Sequence, residues 1–170
     1  MTMQTNGCGD PSARVLRREV VAIVTGGSVG AGREIARRLA SWGWAIVVVY
    51  LEQQHTTEAT VAEILAAEGT IVSVRADLGD DLDVQRLFAE SSAAFGGVDV
   101  IVHTTTNGST LLYQHAARHL RRRGAIVSVA PADRVTPGIA RELDARAISV
   151  GRTAPEGVLA FLDIWQQHAC

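Results

Sequence analysis

The sequence predicts an α/β fold of the doubly wound kind, a parallel sheet covered by helices on both faces. Two observations carry this. Short runs of β-branched and aliphatic residues alternate with longer stretches of helical periodicity. Most of those runs are apolar throughout instead of alternating with polar residues, as strands buried on both sides are. The length, 170 residues, suits one compact domain.

Taken in order, strands are expected at 20–25, 45–50, 71–75, 98–103 and 125–130, with a weaker sixth at 147–150. Helices are expected at 30–42, 56–67, 82–95, 110–122 and 155–167. In the first of these, Ile35, Ala36 and Leu39 share one face while Arg33, Arg37 and Arg38 lie elsewhere. Gly43, Gly69 and Gly96 each follow a helical pattern as C-terminal caps. Residues 1–18 read as a flexible polar arm and 19–170 as a single domain.

Composition narrows the function. A formal charge of −2 gives no electrostatic reason to expect nucleic acid or an acidic membrane as partner. All 16 basic residues are arginine, which removes lysine-dependent chemistry. Cys8 and Cys170 lack a spacing pattern and read as free thiols in a reducing cytoplasm. The first residues have no apolar core of the signal-peptide kind, and no run approaches a membrane span.

The stretch "TGGSVGAGREIARRLA", from Thr25 to Ala40, follows directly on the first strand. A strand, a glycine turn and a helix in that order suit a dinucleotide, NAD or NADP. Gly26 lets the chain turn sharply, and Gly30 and Gly32 let the backbone approach a pyrophosphate and the helix pack close to the sheet. The helix start offers amide groups to the anion. Ser28 is expected to add a hydroxyl. The competing reading is a turn kept for packing alone.

With this turn in place the chain resembles the short-chain dehydrogenase/reductase family. Thr25, Gly26, Gly30 and Gly32 match its T-G-x-x-x-G-x-G pattern. The segments "RADLGDDLDVQRLF", "AAFGGVDVIV", "QHAARHLRRRGAIVSVA" and "ARELDARAISVGRTAPEG" are similar, in register, to its later strands and helices. The resemblance implies a three-layer Rossmann-type sheet of six strands in the order 3-2-1-4-5-6. It further implies that Asp77 meets the adenine amino group and Leu78 the adenine ring.

Against that family pattern several features are missing. His103, Thr104, Thr105 and Thr106 stand where the family has N-N-A-G, and the three threonines are expected to crowd the cofactor site. The catalytic serine position falls on Ala130 or Pro131, with Ser128 too early. The family's Y-x-x-x-K is absent, since neither Tyr50 nor Tyr113 is followed four residues later by a basic residue. The segment before the family's fifth helix is shortened, and little follows the Pro155–Gly157 turn, so the usual substrate pocket is expected to be reduced. Leu111, Leu112 and Leu120 then lose their normal cover, which predicts a homodimer.

At the end of the second strand Tyr50 and Leu51 occupy the place of the ribose-binding acid, with Glu52 just beyond. Val29 replaces the basic residue that many NADP-using relatives carry in the turn, and no nearby arginine is evident, which leans toward NAD. His115 and His119 are four apart, as a metal pair would be, yet have no third ligand and read as a solvated helix face. Arg118, Arg121, Arg122 and Arg123 read as cations at a helix C-terminus.

Three readings follow. The first is a dinucleotide-binding or protein-interaction module without the family's usual carbonyl reduction, having no catalytic residue to name. The second is an oxidoreductase with a site rebuilt from His103, Ser128 and Tyr113 or completed by a partner subunit. The third is a scaffold that binds no cofactor.

Overall fold

A computed structural model describes residues 19–129 and 135–169. The N-terminal arm, both cysteines and the serine position at Ala130 or Pro131 lie outside the described residues. The strands are β1 (Val21–Thr25), β2 (Ala45–Tyr50), β3 (Thr70–Arg75), β4 (Val98–His103), β5 (Leu120–Ser128) and β6 (Ser149–Arg152). They form one sheet in the order 3-2-1-4-5-6, parallel at every pairing, as expected. The helices are α1 (Gly30–Ser41), α2 (Gln54–Ala66), α3 (Asp81–Phe95), α4 (Ser109–His119), α5 (Pro137–Ala145) and α6 (Val158–Ala169).

The alternation of side chains along each strand divides the core in two. Val21 and Ile23 of β1 and Ile101 of β4 face α3, α4 and α5 with Phe88, Leu112 and Leu143. Ala22, Val24 and Val102 face the other way, against Leu39 of α1, Ile64 of α2 and Leu162 of α6. This gives the three layers that the doubly apolar strands require. Trp44 stacks edge-on with Trp165 at 5.9 Å, which ties α6 to the amino-terminal side of the sheet.

α3 shows how local sequence sets an element. The Asp80 carboxylate accepts from the amide of Asp83 at 3.0 Å, and Asp81 and Asp83 place negative charge in the first turn. At its far end Gly96 takes the left-handed conformation, φ 78°. Gly43 does the same after α1, but after α2 the left-handed residue is Glu68, one position before Gly69.

Several expectations are corrected. The helix expected over 110–122 ends at His119, because the chain turns into β5 at Leu120 and continues through an irregular stretch before Ala125. Arg121, Arg122 and Arg123 are therefore strand residues, not helix-end cations. Arg121 pairs with Asp99 at 2.8 Å, and Arg123 has φ 63°. The final helix divides into a 3₁₀ turn at Pro155–Gly157 and α6. α5 was not expected at all; its start is a Thr136 cap followed by Pro137.

That helix overturns the argument made for a homodimer. Leu112 and Leu120 are 1% and 0% exposed, and Leu111 packs against the same core. The cover comes from within the chain, where Ile139 and Leu143 of α5 join that cluster. Arg146, just beyond α5, donates to the carbonyls of Ala117, Arg118 and Leu120 and fixes the turn from α4 to β5.

Candidate functional site

A cleft of about 270 Å³ opens at the carboxyl ends of β1, β2 and β3. Ligand sites in open α/β sheets form at this edge, where connections on either side run to opposite faces. Thr25 and Gly26 form one border, and residues 49–53 form a second. Ala76, Asp77 and Leu78 form a third, and Thr105 and Asn107 reach in from the loop after β4.

The glycine turn is built for close approach. Gly26 has φ 65°, and a Cβ there would lie 2.6 Å from Thr104 Oγ1. A Cβ on Gly32 would strike the carbonyl of Gly26, so α1 can start beneath the turn only with glycine at that position. Gly30 differs: its φ is 52°, yet a Cβ would meet nothing within 4 Å. Its open side is space that a ligand can use. α1 carries no side-chain cap and no acid in its first turn, which leaves its leading amides to an outside acceptor.

The expected binding residues separate into two groups. Gly26, Asp77 and Leu78 line the cleft. Val29, 42% exposed, and Gly30 form the outer lip where α1 begins. Ser28 lies inside, 1% exposed, and its hydroxyl donates to Gln53 Oε1 at 3.1 Å, which braces the turn against β2's exit. Asp77 is set by its neighbours: its Oδ1 accepts from Gly79 N at 2.8 Å and its amide donates to Asp83 at 2.9 Å.

The loop after β4 is tied to β1. Thr25 Oγ1 accepts from the amide of Thr104 at 3.0 Å, and Thr104 Oγ1 donates to the Thr25 carbonyl at 2.5 Å. Thr25 Oγ1 also lies 2.9 Å from His103 Nδ1. Thr104 and Thr105 thus sit close against Gly26. Asn107 and Gln53 went unnoticed in the sequence, because only the fold brings these loops together.

The rebuilt-site candidates are all buried. His103 and Ser128 are register partners on β4 and β5, but they are 0% and 1% exposed. Tyr113, 2% exposed, belongs to the core beneath α4. His115 corrects the solvated-face expectation. It is 9% exposed, its Nε2 is 2.9 Å from Asp81 Oδ1, and its ring stacks on Phe88 and His119. No group of three or more metal-binding side chains occurs among the described residues.

Electrostatics at the end of β2 also depart from expectation. Arg75 pairs in register with Tyr50, and its Nε donates to the Leu51 carbonyl at 3.0 Å. An arginine therefore does stand at the end of β2, outside the lining, while Glu52 is part of the lining. The signal was the 3-2-1 strand order, which sets the end of β3 beside the end of β2.

Comparison with known proteins fits this geometry. The family model for short chain dehydrogenases matches residues 20–119. An uncharacterized oxidoreductase of Methylorubrum extorquens is 30% identical over 64% of this chain and 53% of its own length. A hydroxynaphthalene reductase-like protein of Metarhizium robertsii is 31% identical over 63% of this chain and 49% of its own. The chain spans about half the length of these curated relatives. Among solved structures, a short chain dehydrogenase from Burkholderia cenocepacia in complex with NADP superposes with a TM-score of 0.69 at 26% identity, covering 82% of this chain and 74% of that one. No helix among the described residues is long and apolar enough to cross a membrane.

Proposed function

The chain belongs to the short-chain dehydrogenase family, and on that premise we propose that it binds NAD(P) without carrying out the family's usual carbonyl reduction. The observation that supports binding is the cleft at the ends of β1–β3, bordered by a glycine turn whose Gly30 is open on its outer side. The groups present suit the cofactor. Val49, Ala76 and Leu78 offer apolar surface to an adenine, Asp77 a carboxylate to its amino group, and the uncapped start of α1 an anion site for the pyrophosphate. Bound there, the cofactor would supply hydride chemistry.

The reading against turnover rests on residues. The chain has no lysine, so no tyrosine can be paired with one. His103 and Ser128 are enclosed between strands, and Tyr113 is in the core. A general acid must reach the reacting oxygen to within about 2.6–3.2 Å, directly or through one water. NAD is favoured over NADP in this reading, since the Glu52 carboxylate lines the cleft and suits a ribose hydroxyl better than a phosphate.

Calorimetric titration with NAD and NADP in both redox states tests binding, and a panel of ketones with NADH and NADPH tests turnover. Micromolar binding with no turnover is expected. Reduction of any ketone that is abolished by a change in the glycine turn overturns the second half of the reading. Absence of binding at millimolar cofactor overturns the first. A homodimer is a further part of this reading. A monomer mass at micromolar concentration overturns that assignment.

A further inference from the structure

We infer that the Asn107–Gly108 peptide is a self-modification site, where the asparagine converts without an enzyme to aspartate and isoaspartate and places a carboxylate at the mouth of the cleft. The conversion stands apart from the proposed function, and its effect on affinity rests on that reading.

The sequence holds two asparagines, Asn6 and Asn107, and a glycine follows each. Glycine has no Cβ to shield its amide nitrogen and leaves the peptide a wide choice of conformations. That nitrogen is therefore able to attack the side-chain carbonyl of the preceding asparagine. Asn6 lies outside the described residues. Asn107 is exposed, in the irregular loop between β4 and α4. Among the described residues its side-chain amide has no hydrogen-bond partner, and the Gly108 amide donates to nothing. Neither reacting group is held away from the other by a competing bond.

The reaction needs only water. The Gly108 nitrogen, as it loses its proton, bonds to Asn107 Cγ, and the side-chain nitrogen leaves as ammonia. The product is a cyclic imide. Water then adds to one of its two carbonyls and breaks one C–N bond. Opening at Cγ gives aspartate, and opening at the backbone carbon gives isoaspartate. Nothing is oxidised or reduced.

The fold preserves the susceptible pair. Gly108 has φ 79°, and a Cβ there would lie 2.3 Å from Leu78 Cβ. Only glycine lets α4 begin this close to Leu78, so no bulkier neighbour can protect the asparagine.

Position gives the change its consequence. Asn107 lines the cleft together with Glu52 and Asp77. A third carboxylate there repels an anionic nucleotide and weakens it on the order of threefold. Isoaspartate also adds a backbone carbon just before Gly108, whose carbonyl accepts from Leu112 N at 3.1 Å at the start of α4.

The test ages the full chain in mildly alkaline buffer and follows each asparagine by peptide mapping and mass spectrometry, with isoaspartate detected by methyltransferase labelling. The Asn107 peptide is expected to gain the mass difference between a hydroxyl and an amino group, faster as pH rises, with isoaspartate present. Asn107→Gln should abolish that gain. An unchanged Asn107 peptide overturns the inference, whatever happens at Asn6. Calorimetry with NAD on fresh and aged samples reads the effect. Wild type should weaken on the order of threefold as the modified fraction grows. Asn107→Gln, which still carries Asn6, should hold the affinity it starts with. Modification without weakening overturns the placement of the new charge beside the ligand. Absence of NAD binding in the fresh protein overturns the proposed function and the effect on affinity, while the mass change still decides the conversion.

Discussion

The two halves of the sheet's carboxyl edge present different surfaces. At the ends of β1, β2 and β3 a cleft opens, bordered by Glu52, Asp77 and Leu78, with Gly26 in the left-handed region and Gly30 open outward. At the ends of β4 and β5 the polar groups turn inward: His103 bonds to Thr25, and Ser128 is enclosed beside it. Both halves share one sheet and one pattern of apolar strands. The difference teaches that one sheet edge can open a cleft at some strand ends while side chains at the neighbouring strand ends serve cohesion.

The strongest way to break the comparison is to fill the open side of the glycine turn. Gly30→Trp puts a ring where a Cβ meets nothing, so binding is expected to fall about a hundredfold or more, roughly 2.7 kcal/mol. The left-handed φ at this position adds about 1–2 kcal/mol of strain to the fold. Ser128→Ala, on the other half, should leave affinity unchanged. Calorimetry on both variants decides, and equal losses would dissolve the distinction between the halves.

Next in size is a change on the cohesive side. Arg146 satisfies three carbonyls at the junction of α4 and β5. Arg146→Ala should lower stability by about 2 kcal/mol, read as a reduced urea midpoint, with nucleotide affinity preserved in the folded protein. A drop in affinity without a drop in stability would assign Arg146 to the site instead. A smaller effect is expected from Glu52→Gln. The variant should bind NAD about three- to fivefold more weakly while NADP gains or holds, as a charge beside the ribose is removed.

The smallest effects are in pH, and they fall in different windows on the two sides. Partial burial, with the charges of His115, Arg118 and Arg146 nearby, lowers the pKa of His119 below its usual 6.5. The unfolded chain then takes up the proton first, so stability falls as pH drops below about 6.5 and levels off under the folded value. On the other face, the hydrogen bond from Arg33 holds Glu63 below its usual 4.5, with Arg37 adding to it. Its contribution is present above that value and is lost as pH falls through the lower folded one. Urea midpoints measured from pH 8 to pH 3.5 should therefore show two declines, and His119→Gln should remove only the upper one.

Much of this was legible in the residues. The apolar run at 45–50 coincides with β2, because a strand buried on both faces leaves an unbroken hydrophobic signal, and the run at 98–103 coincides with β4 despite Asp99 and His103 within it. The turn from Thr25 to Gly32 was readable for the reason that Gly26 and Gly32 have no tolerated substitute: one must turn left-handed and the other must touch a carbonyl. The arginines at 121–123 misled, since helix and strand join at Leu120 without a glycine or proline to mark the break. α5 was missed because nine residues carry too few apolar positions to show a period, and only Ile139 and Leu143 are buried.

By itself, then, the sequence determined the layered architecture, the family and the glycine turn, each of which depends on near neighbours along the chain. It also excluded a tyrosine–lysine pair, because composition alone decides that. Only the tertiary structure decided that Leu112 and Leu120 are covered by α5, that Arg75 stands beside Leu51, and that Ser28 faces Gln53. It likewise decided that His103 is bonded to Thr25, 78 positions away. Those outcomes depend on which strands become neighbours and on which face a side chain emerges, and a difference of one residue in register would reverse them.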